Sequence, residues 1–240
     1  MTTRLLLLFV VIATLAAQDA PTPFPDPTDE KAWPGVGPIR VHPWMKDNRA
    51  WFWTQRSKDA GKVVFVGDSL TGNWKDLGSS FPGLAVANRG IGGDGSRGVL
   101  FRLQEDVLDL KPRAMVLCIG SNDLSAHAAP ADIIANIQAI IAKARAADAT
   151  MPIVLCTTAP RDNPKAPTRP GAQADLNAHI LALGKGQEHL AVLDLYAPLA
   201  EADGRPKANC FAADRLHLAA PGYAIWAREL APVLERLGVR

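Results

Sequence analysis

Five short apolar runs punctuate the chain after Lys62: Val63–Val66, Leu84–Ala87, Ala114–Ile119, Ile153–Cys156 and Ala191–Leu195. Each is rich in Val, Leu, Ile or Ala and shows no alternation with polar residues. That pattern belongs to parallel strands covered on both faces. Stretches with helical periodicity lie between them: Gly95–Val107, Pro130–Ala147, Gly171–Gly186 and Ala220–Leu237. In the second, Ile133, Ile137, Ile140 and Ile141 recur at helical spacing, and Pro130 suits a first-turn position. In the last, Pro221-Gly222 opens the helix and Ile225, Trp226, Leu230 and Leu234 share one face. Strand and helix in alternation predict one doubly wound, flavodoxin-like α/β domain over residues 62–240. Its five-stranded parallel sheet has the order 2-1-3-4-5, with helices on both faces. The pattern holds no internal repeat and no second domain.

The first sixty residues follow different rules. Arg4 gives a short positive region, Leu5 to Ile12 is an unbroken apolar run, and Ala13 to Ala17 are mostly small. Residues 1–17 therefore read as an export signal peptide cleaved after Ala16 or Ala17. The run is shorter than the about 20 apolar residues a spanning helix needs. The mature protein is expected in the periplasm or outside the cell, with no stable membrane insertion. Residues 18–31 carry prolines at 21, 23, 25 and 27 and predict an extended, poorly ordered tether. Residues 32–61 contain Trp33, Trp44, Trp51 and Trp53, with Asp47 placed to cap a helix running through Trp51 toward Arg56. These tryptophans are expected to seal the flank of the domain, in preference to stacking on sugars.

Composition narrows the function classes. The chain has 240 residues, 26 basic and 24 acidic side chains interspersed along it, and a net charge of +2. No basic stripe suggests nucleic acid. Three cysteines make no disulfide framework: Cys118 and Cys156 fall in buried strands as small apolar filler, and Cys210 lies in a loop. One bridge at most could form.

Polar clusters sit where a doubly wound sheet binds ligands, beyond the carboxyl ends of its strands. Strand one delivers Gly67-Asp68-Ser69-Leu70, strand two delivers Asn88 to Asp94, and strand three delivers Gly120-Ser121-Asn122-Asp123. Asp214-Arg215-Leu216-His217 follows strand five. A serine hydroxyl is a poor nucleophile until a base takes its proton, and of five histidines His217 is best placed to do so. Asp214, three residues earlier, can accept from one ring nitrogen and leave the other facing Ser69. Acyl transfer also needs donors for an oxyanion. Gly93 has no Cβ to keep a ligand from its N–H, Asn122 offers an amide, and the Ser69 N–H is a third candidate.

Other chemistries fit less well. Gly90, Gly92 and Gly95 match the spacing of a dinucleotide-binding loop, but after the second strand rather than the first. The same loop lacks the Lys-Ser/Thr ending of a nucleotide phosphate loop. Thr71 stands where a Gly-x-Ser-x-Gly elbow needs glycine. No His-x-His or His-Glu-x-x-His pattern points to a metal.

Taken in order, these clusters resemble the blocks of the SGNH, or GDSL, hydrolase family from about Lys62 to Leu237. Asn88 to Asp94, followed by Arg97, Leu100 and Arg102-Leu103, is most similar to the branch of platelet-activating-factor acetylhydrolase catalytic subunits, which also holds many bacterial esterases. The resemblance implies Ser69 as nucleophile, His217 as base and Asp214 as its orienting partner. It implies an oxyanion hole of Ser69 N–H, Gly93 N–H and the Asn122 side chain, with no metal or organic cofactor. The expected activity is secreted serine ester hydrolysis of short, acetyl-type esters, with O-acetyl groups on a glycan as the leading substrate. Lysophospholipase or thioesterase action is the enzymatic alternative, and a non-catalytic surface-binding module on the same fold is the rival from another class. Arg161 and Asn163, after strand four, are candidate rim contacts.

Overall fold

The computed structural model describes residues 19–240. The expected signal peptide lies outside the described residues. The five strands are β1 (Val63–Gly67), β2 (Val86–Gly90), β3 (Ala114–Cys118), β4 (Ile153–Cys156) and β5 (Leu190–Leu193). All pair in parallel, in the order β2-β1-β3-β4-β5. The main departure from the expected strands is β2, which runs on through Asn88-Arg89-Gly90 instead of stopping at Ala87. Polar side chains are tolerated there because each has a partner: Asn88 donates to the Thr71 carbonyl at 2.7 Å, and Arg89 pairs with Asp59 at 2.7 Å.

The helices are α1 (Pro43–Asp59), α2 (Ser69–Gly72), α3 (Leu77–Ser80), α4 (Ser96–Asp106), α5 (Ser121–Ser125), α6 (Pro130–Ala147), α7 (Ala172–Leu183), α8 (Tyr196–Leu199) and α9 (Ala220–Arg236). Helix α1 begins at Pro43, before Asp47, since proline fits the first helical turn. Strand side chains alternate in direction, so each strand feeds two cores. On one face Val64, Val66, Met115, Leu117, Ile153 and Leu155 pack with Leu103 of α4, Ile137 and Ile140 of α6, and Ile180 of α7. On the other, Phe65, Val116, Cys118 and Cys156 meet Leu70, Trp74, Trp226 and Leu230. Cys118, Cys156 and Cys210 are all buried free thiols.

The proline-rich stretch, expected as a poorly ordered tether, lies against the domain instead. Phe24 stacks on Trp33 and touches Phe101 of α4, with ring centroids 5.6 and 5.3 Å apart. The Arg49 guanidinium covers Phe24, and the Thr22 N–H donates to Glu105 at 3.0 Å. Proline's fixed φ keeps such a segment extended, but Phe24 and Trp33 give it rings to bury, and Thr22 bonds to Glu105. Of the tryptophans, Trp33 is sealed in; Trp44 and Trp51 remain 49% and 62% exposed.

Beneath the carboxyl edge lies a buried ionic cluster. Arg102 of α4 is fully enclosed and pairs with Asp94 at 2.8 Å. It also donates to the carbonyls of Gly67 and Arg89 at 3.3 and 2.9 Å. Removing one member of such a pair strands the other in a low-dielectric site. Arg102→Met should therefore cost about 3–5 kcal/mol of stability in urea unfolding; a loss under about 1 kcal/mol would show that the cluster is dispensable.

Candidate active site

Strand β1 ends at Gly67, and the chain turns at once into α2, whose first residue is Ser69. The Asp68 carboxylate caps that helix by accepting from Leu70 N–H at 2.9 Å. Short as it is, α2 is held at several points. Asn88 donates to the Thr71 carbonyl at 2.7 Å while its own Oδ1 accepts from Gly90 N–H. Tyr223 of α9 donates to the Leu70 carbonyl at 2.9 Å. Gly90 makes the packing of β2 on α2 feasible: a Cβ there would fall 2.2 Å from the Gly72 nitrogen, so no side chain fits. Ser69 is thereby fixed half-buried at the sheet edge.

The Asp214–His217 loop crosses back over this edge, as its sequence position requires. His217 Nε2 lies 3.0 Å from Ser69 Oγ, and His217 Nδ1 lies 2.6 Å from Asp214 Oδ2. Asp214 divides its two oxygens. Oδ1 accepts from the backbone N–H of Leu216 and His217, both at 3.0 Å, and Oδ2 meets the ring. Partial burial opposes ionisation of Asp214, but these hydrogen bonds outweigh it and hold the carboxyl below its ordinary range. Arg215, between the two, has φ +54 and ion-pairs with Asp162 at 3.0 Å. The Asp162 N–H returns a bond to the Arg215 carbonyl at 3.0 Å.

The remaining sequence candidates meet at the same place. Gly93 turns the loop after β2 with φ +84, a region that favours glycine. Asn122, in α5, donates one amide hydrogen to the Asp94 carbonyl at 3.0 Å, which leaves its second for another acceptor. Asp123 accepts from the Ser96 backbone N–H at 2.9 Å and from its hydroxyl at 2.6 Å. This carboxylate occupies the N-terminus of α4, where a dinucleotide-binding loop would present a pyrophosphate. The match of Gly90, Gly92 and Gly95 to such a loop is thus one of spacing alone. Arg161 is turned inward, donating to the Ser121 carbonyl and hydroxyl at 2.6 and 2.8 Å and to the Ala166 carbonyl. Asn163 accepts from Lys165 N–H in a local turn. Neither is placed by these bonds as a rim contact. Among the described residues, no group of three or more His, Cys, Asp or Glu side chains is placed to hold a metal ion.

Two neighbours, Arg40 and His42, carried no recognisable pattern in the sequence, and a third, Trp44, was expected to seal the flank of the domain instead of reaching this loop. Arg40 donates to the Gly93 and Asn122 carbonyls, and Trp44 to the Gly92 carbonyl. Residues outside any periodic run or motif give no warning of such contacts.

A serine, an imidazole and a carboxylate stand in hydrogen-bonded series at the carboxyl edge of a doubly wound sheet, an arrangement that serine-type hydrolases use. Comparison with known proteins narrows the class. Residues 65–225 match the GDSL-like Lipase/Acylhydrolase family, and the chain belongs to it. It is a carboxylic ester hydrolase of the GDSL type. Platelet-activating factor acetylhydrolase IB subunit alpha1 of Pongo abelii is 30% identical over 201 residues, covering 81% of this chain and 84% of the relative. The alpha2 subunit of Rattus norvegicus is 28% identical over 202 residues, with 81% and 84% covered. Two solved structures share the fold. A GDSL-like lipase of Bacteroides thetaiotaomicron superposes with TM-score 0.68 at 23% identity, over 78% of this chain and 96% of that one. An acetyl-xylooligosaccharide esterase variant from Geobacillus superposes with TM-score 0.58 at 22% identity, over 75% and 96%. No helix among the described residues is long and apolar enough to cross a membrane.

The buried carboxyls beside Ser69 make stability depend on pH. Burial pushes Asp68 from 3.8 up to about 7, and Asp94 and Asp123 push the same way. Between those limits the folded state holds a proton that the unfolded chain has lost. Stability is then full at the acid end of the window and declines as pH rises through it. Asp94, pushed up to about 6 by burial despite Arg102, adds in the same direction. Asp68→Asn keeps an acceptor for Leu70 N–H and removes one titration. Relative to the parent it should gain on the order of 1–3 kcal/mol as pH rises through the window. Urea unfolding at several pH values checks this, and parallel stability curves would refute it.

Proposed function

We propose that the protein is an exported serine esterase that removes short acyl groups, acetyl foremost, from acylated glycans. The observation that carries the catalytic part is the Ser69–His217–Asp214 series at 3.0 and 2.6 Å. Ser69 Oγ attacks the ester carbonyl while His217 Nε2 takes its proton, and Asp214 holds the ring and stabilises the imidazolium. The carbonyl oxygen, now negative, accepts from Ser69 N–H, Gly93 N–H and the free Asn122 amide hydrogen. The C–O bond to the alcohol breaks as His217 returns the proton to the leaving oxygen. Water, deprotonated by His217, then attacks the acyl-serine; the acid leaves and Ser69 is regenerated.

The acyl and alcohol parts rest on lesser support. Acetyl is the group common to the names of the acetylhydrolase relatives and of the xylooligosaccharide esterase. The groups found around the loop that lies against Ser69 are glycines, an amide, a guanidinium and an imidazole stacked on an indole. They suit a small acyl group on a polar alcohol better than a long aliphatic chain. The export-like sequence of residues 1–17 supports a substrate outside the cytoplasm.

A panel of p-nitrophenyl esters from acetyl to palmitoyl, run beside acetylated xylan, tests both parts. Activity should be highest with acetyl, with acetate released from the polysaccharide. Ser69→Ala should lower turnover by about 10³-fold or more, and Asn122→Ala by about 10²–10³-fold. Acetate release that survives Ser69→Ala would end the covalent mechanism. A rate that climbs with chain length would end the short-acyl reading.

A further inference from the structure

The segment that leads into α1, together with its first turn, lies outside residues 65–225 and yet touches each part of the loop that carries Gly93. The Trp44 indole Nε1–H donates to the Gly92 carbonyl at 2.8 Å. That carbonyl belongs to the peptide unit whose N–H is the Gly93 N–H. A hydrogen bond accepted at one end of an amide polarises it and strengthens the donor at the other end. Arg40 acts on the neighbouring peptide unit. Its Nε donates to the Gly93 carbonyl at 3.2 Å and its NH1 to the Asn122 carbonyl at 3.3 Å. One planar guanidinium thus spans two elements, the loop after β2 and helix α5, and sets the distance between them.

His42 closes the third side. Its ring stacks on Trp44 with centroids 4.5 Å apart, and a Cβ on Gly93 would stand 2.7 Å from its Cδ2. The packing accepts only glycine at 93, with its amide in the left-handed turn. The group lies next to the chemistry: a Cβ on Gly92 would reach 3.8 Å from Ser69 Cβ and 3.9 Å from Trp44 Nε1.

We infer that Arg40 and Trp44 are positioning residues that brace the oxyanion donors from outside, Trp44 by polarising and orienting the Gly93 amide and Arg40 by locking the Gly93 loop to Asn122. The inference rests on the proposed role of Gly93 and Asn122 as oxyanion donors. A donor array works by being fixed before charge develops, so the brace acts on the transition state and not on substrate capture.

The test uses the full mature chain with Trp44→Phe, which keeps a ring and deletes the donor, and Arg40→Ala. Each should lower kcat and kcat/KM for p-nitrophenyl acetate by about tenfold, leave KM within about twofold, and leave the thermal midpoint unchanged. Phenylboronic acid, whose tetrahedral adduct with Ser69 carries the oxyanion's shape, should lose affinity by a similar factor. Trp51→Phe, on the exposed side of the same helix, should change none of these. Unaltered kcat and boronate affinity in both brace variants would overturn the inference. So would a loss confined to KM with ring-bearing alcohols, which would make Trp44 a wall of the substrate cleft. Asn122→Ala separates the two layers. If it weakens the boronate while the brace variants do not, only the brace fails. If it leaves the boronate untouched, the oxyanion assignment fails and the brace falls with it.

Discussion

The guanidinium of Arg102 has no access to solvent, and the segments that build the site hand it their acceptors: Gly67 at the end of β1, Arg89 in β2, and Asp94 beyond it. Parallel strands end in carbonyls and loops that leave the sheet in different directions, and nothing in the ladder itself makes those loops share an edge. A single five-donor fork does so by satisfying several of them at once. The arrangement is costly in isolation, because cation and carboxylate are both desolvated. It is sustained because most of its donors find acceptors that would otherwise be orphaned in the core, Asp106 Oδ2 at 3.5 Å among them. The residues that follow each strand end are then brought to one edge, Ser69 two positions after Gly67 and Gly93 three after Gly90.

The Asp214–His217 side is held differently. His217 and Asp214 are 33% and 39% exposed, so burial cannot impose their geometry. Closeness in the chain does. With only two residues between them, one carboxylate can cap the backbone with Oδ1 and still reach the ring with Oδ2. The left-handed Arg215 makes the turn that permits this, and its ion pair with Asp162 ties the loop to the segment after β4. Local hydrogen bonds thus do on this side what a buried cation does on the other. The exposed pair keeps a route for water to the ring, which the second half of an ester hydrolysis requires.

How much of this the sequence disclosed follows from the range of each interaction. The sheet order and the alternation of strand and helix were legible because burial on both faces leaves continuous Val-, Leu- and Ile-rich runs. Ser69, Asn122, Asp214 and His217 were legible because each sits in a short cluster at a strand end or turn. The extension of β2 through Asn88-Arg89-Gly90 was not, since polar residues in a strand register as its end. Nor was the docking of residues 21–33, where prolines announce extension but say nothing of the Phe101 and Arg49 surfaces waiting to receive Phe24. The contacts of Arg40, His42 and Trp44 with the site were hidden for a related reason, although Trp44 itself was expected to pack on the domain's flank. They act through backbone carbonyls, which every residue has, so the partner leaves no mark on the sequence.

That difference has a consequence for how a site of this kind varies. The reacting groups lie within the span that matches the family, and their chemistry tolerates little change. The segment 40–44 meets the same loop from outside that span, through one indole, one guanidinium and one imidazole. Trp44 stays half-exposed while it holds the Gly92 carbonyl. A chain can therefore alter the setting of the loop after β2 by changing a segment that carries no member of the Ser69–His217–Asp214 series. It cannot alter that setting freely, because Trp44 and Arg40 bond the carbonyls of Gly92, Gly93 and Asn122. The placement of this loop and that of α5 are coupled through these side chains, and a substitution that shifts one is felt by the other.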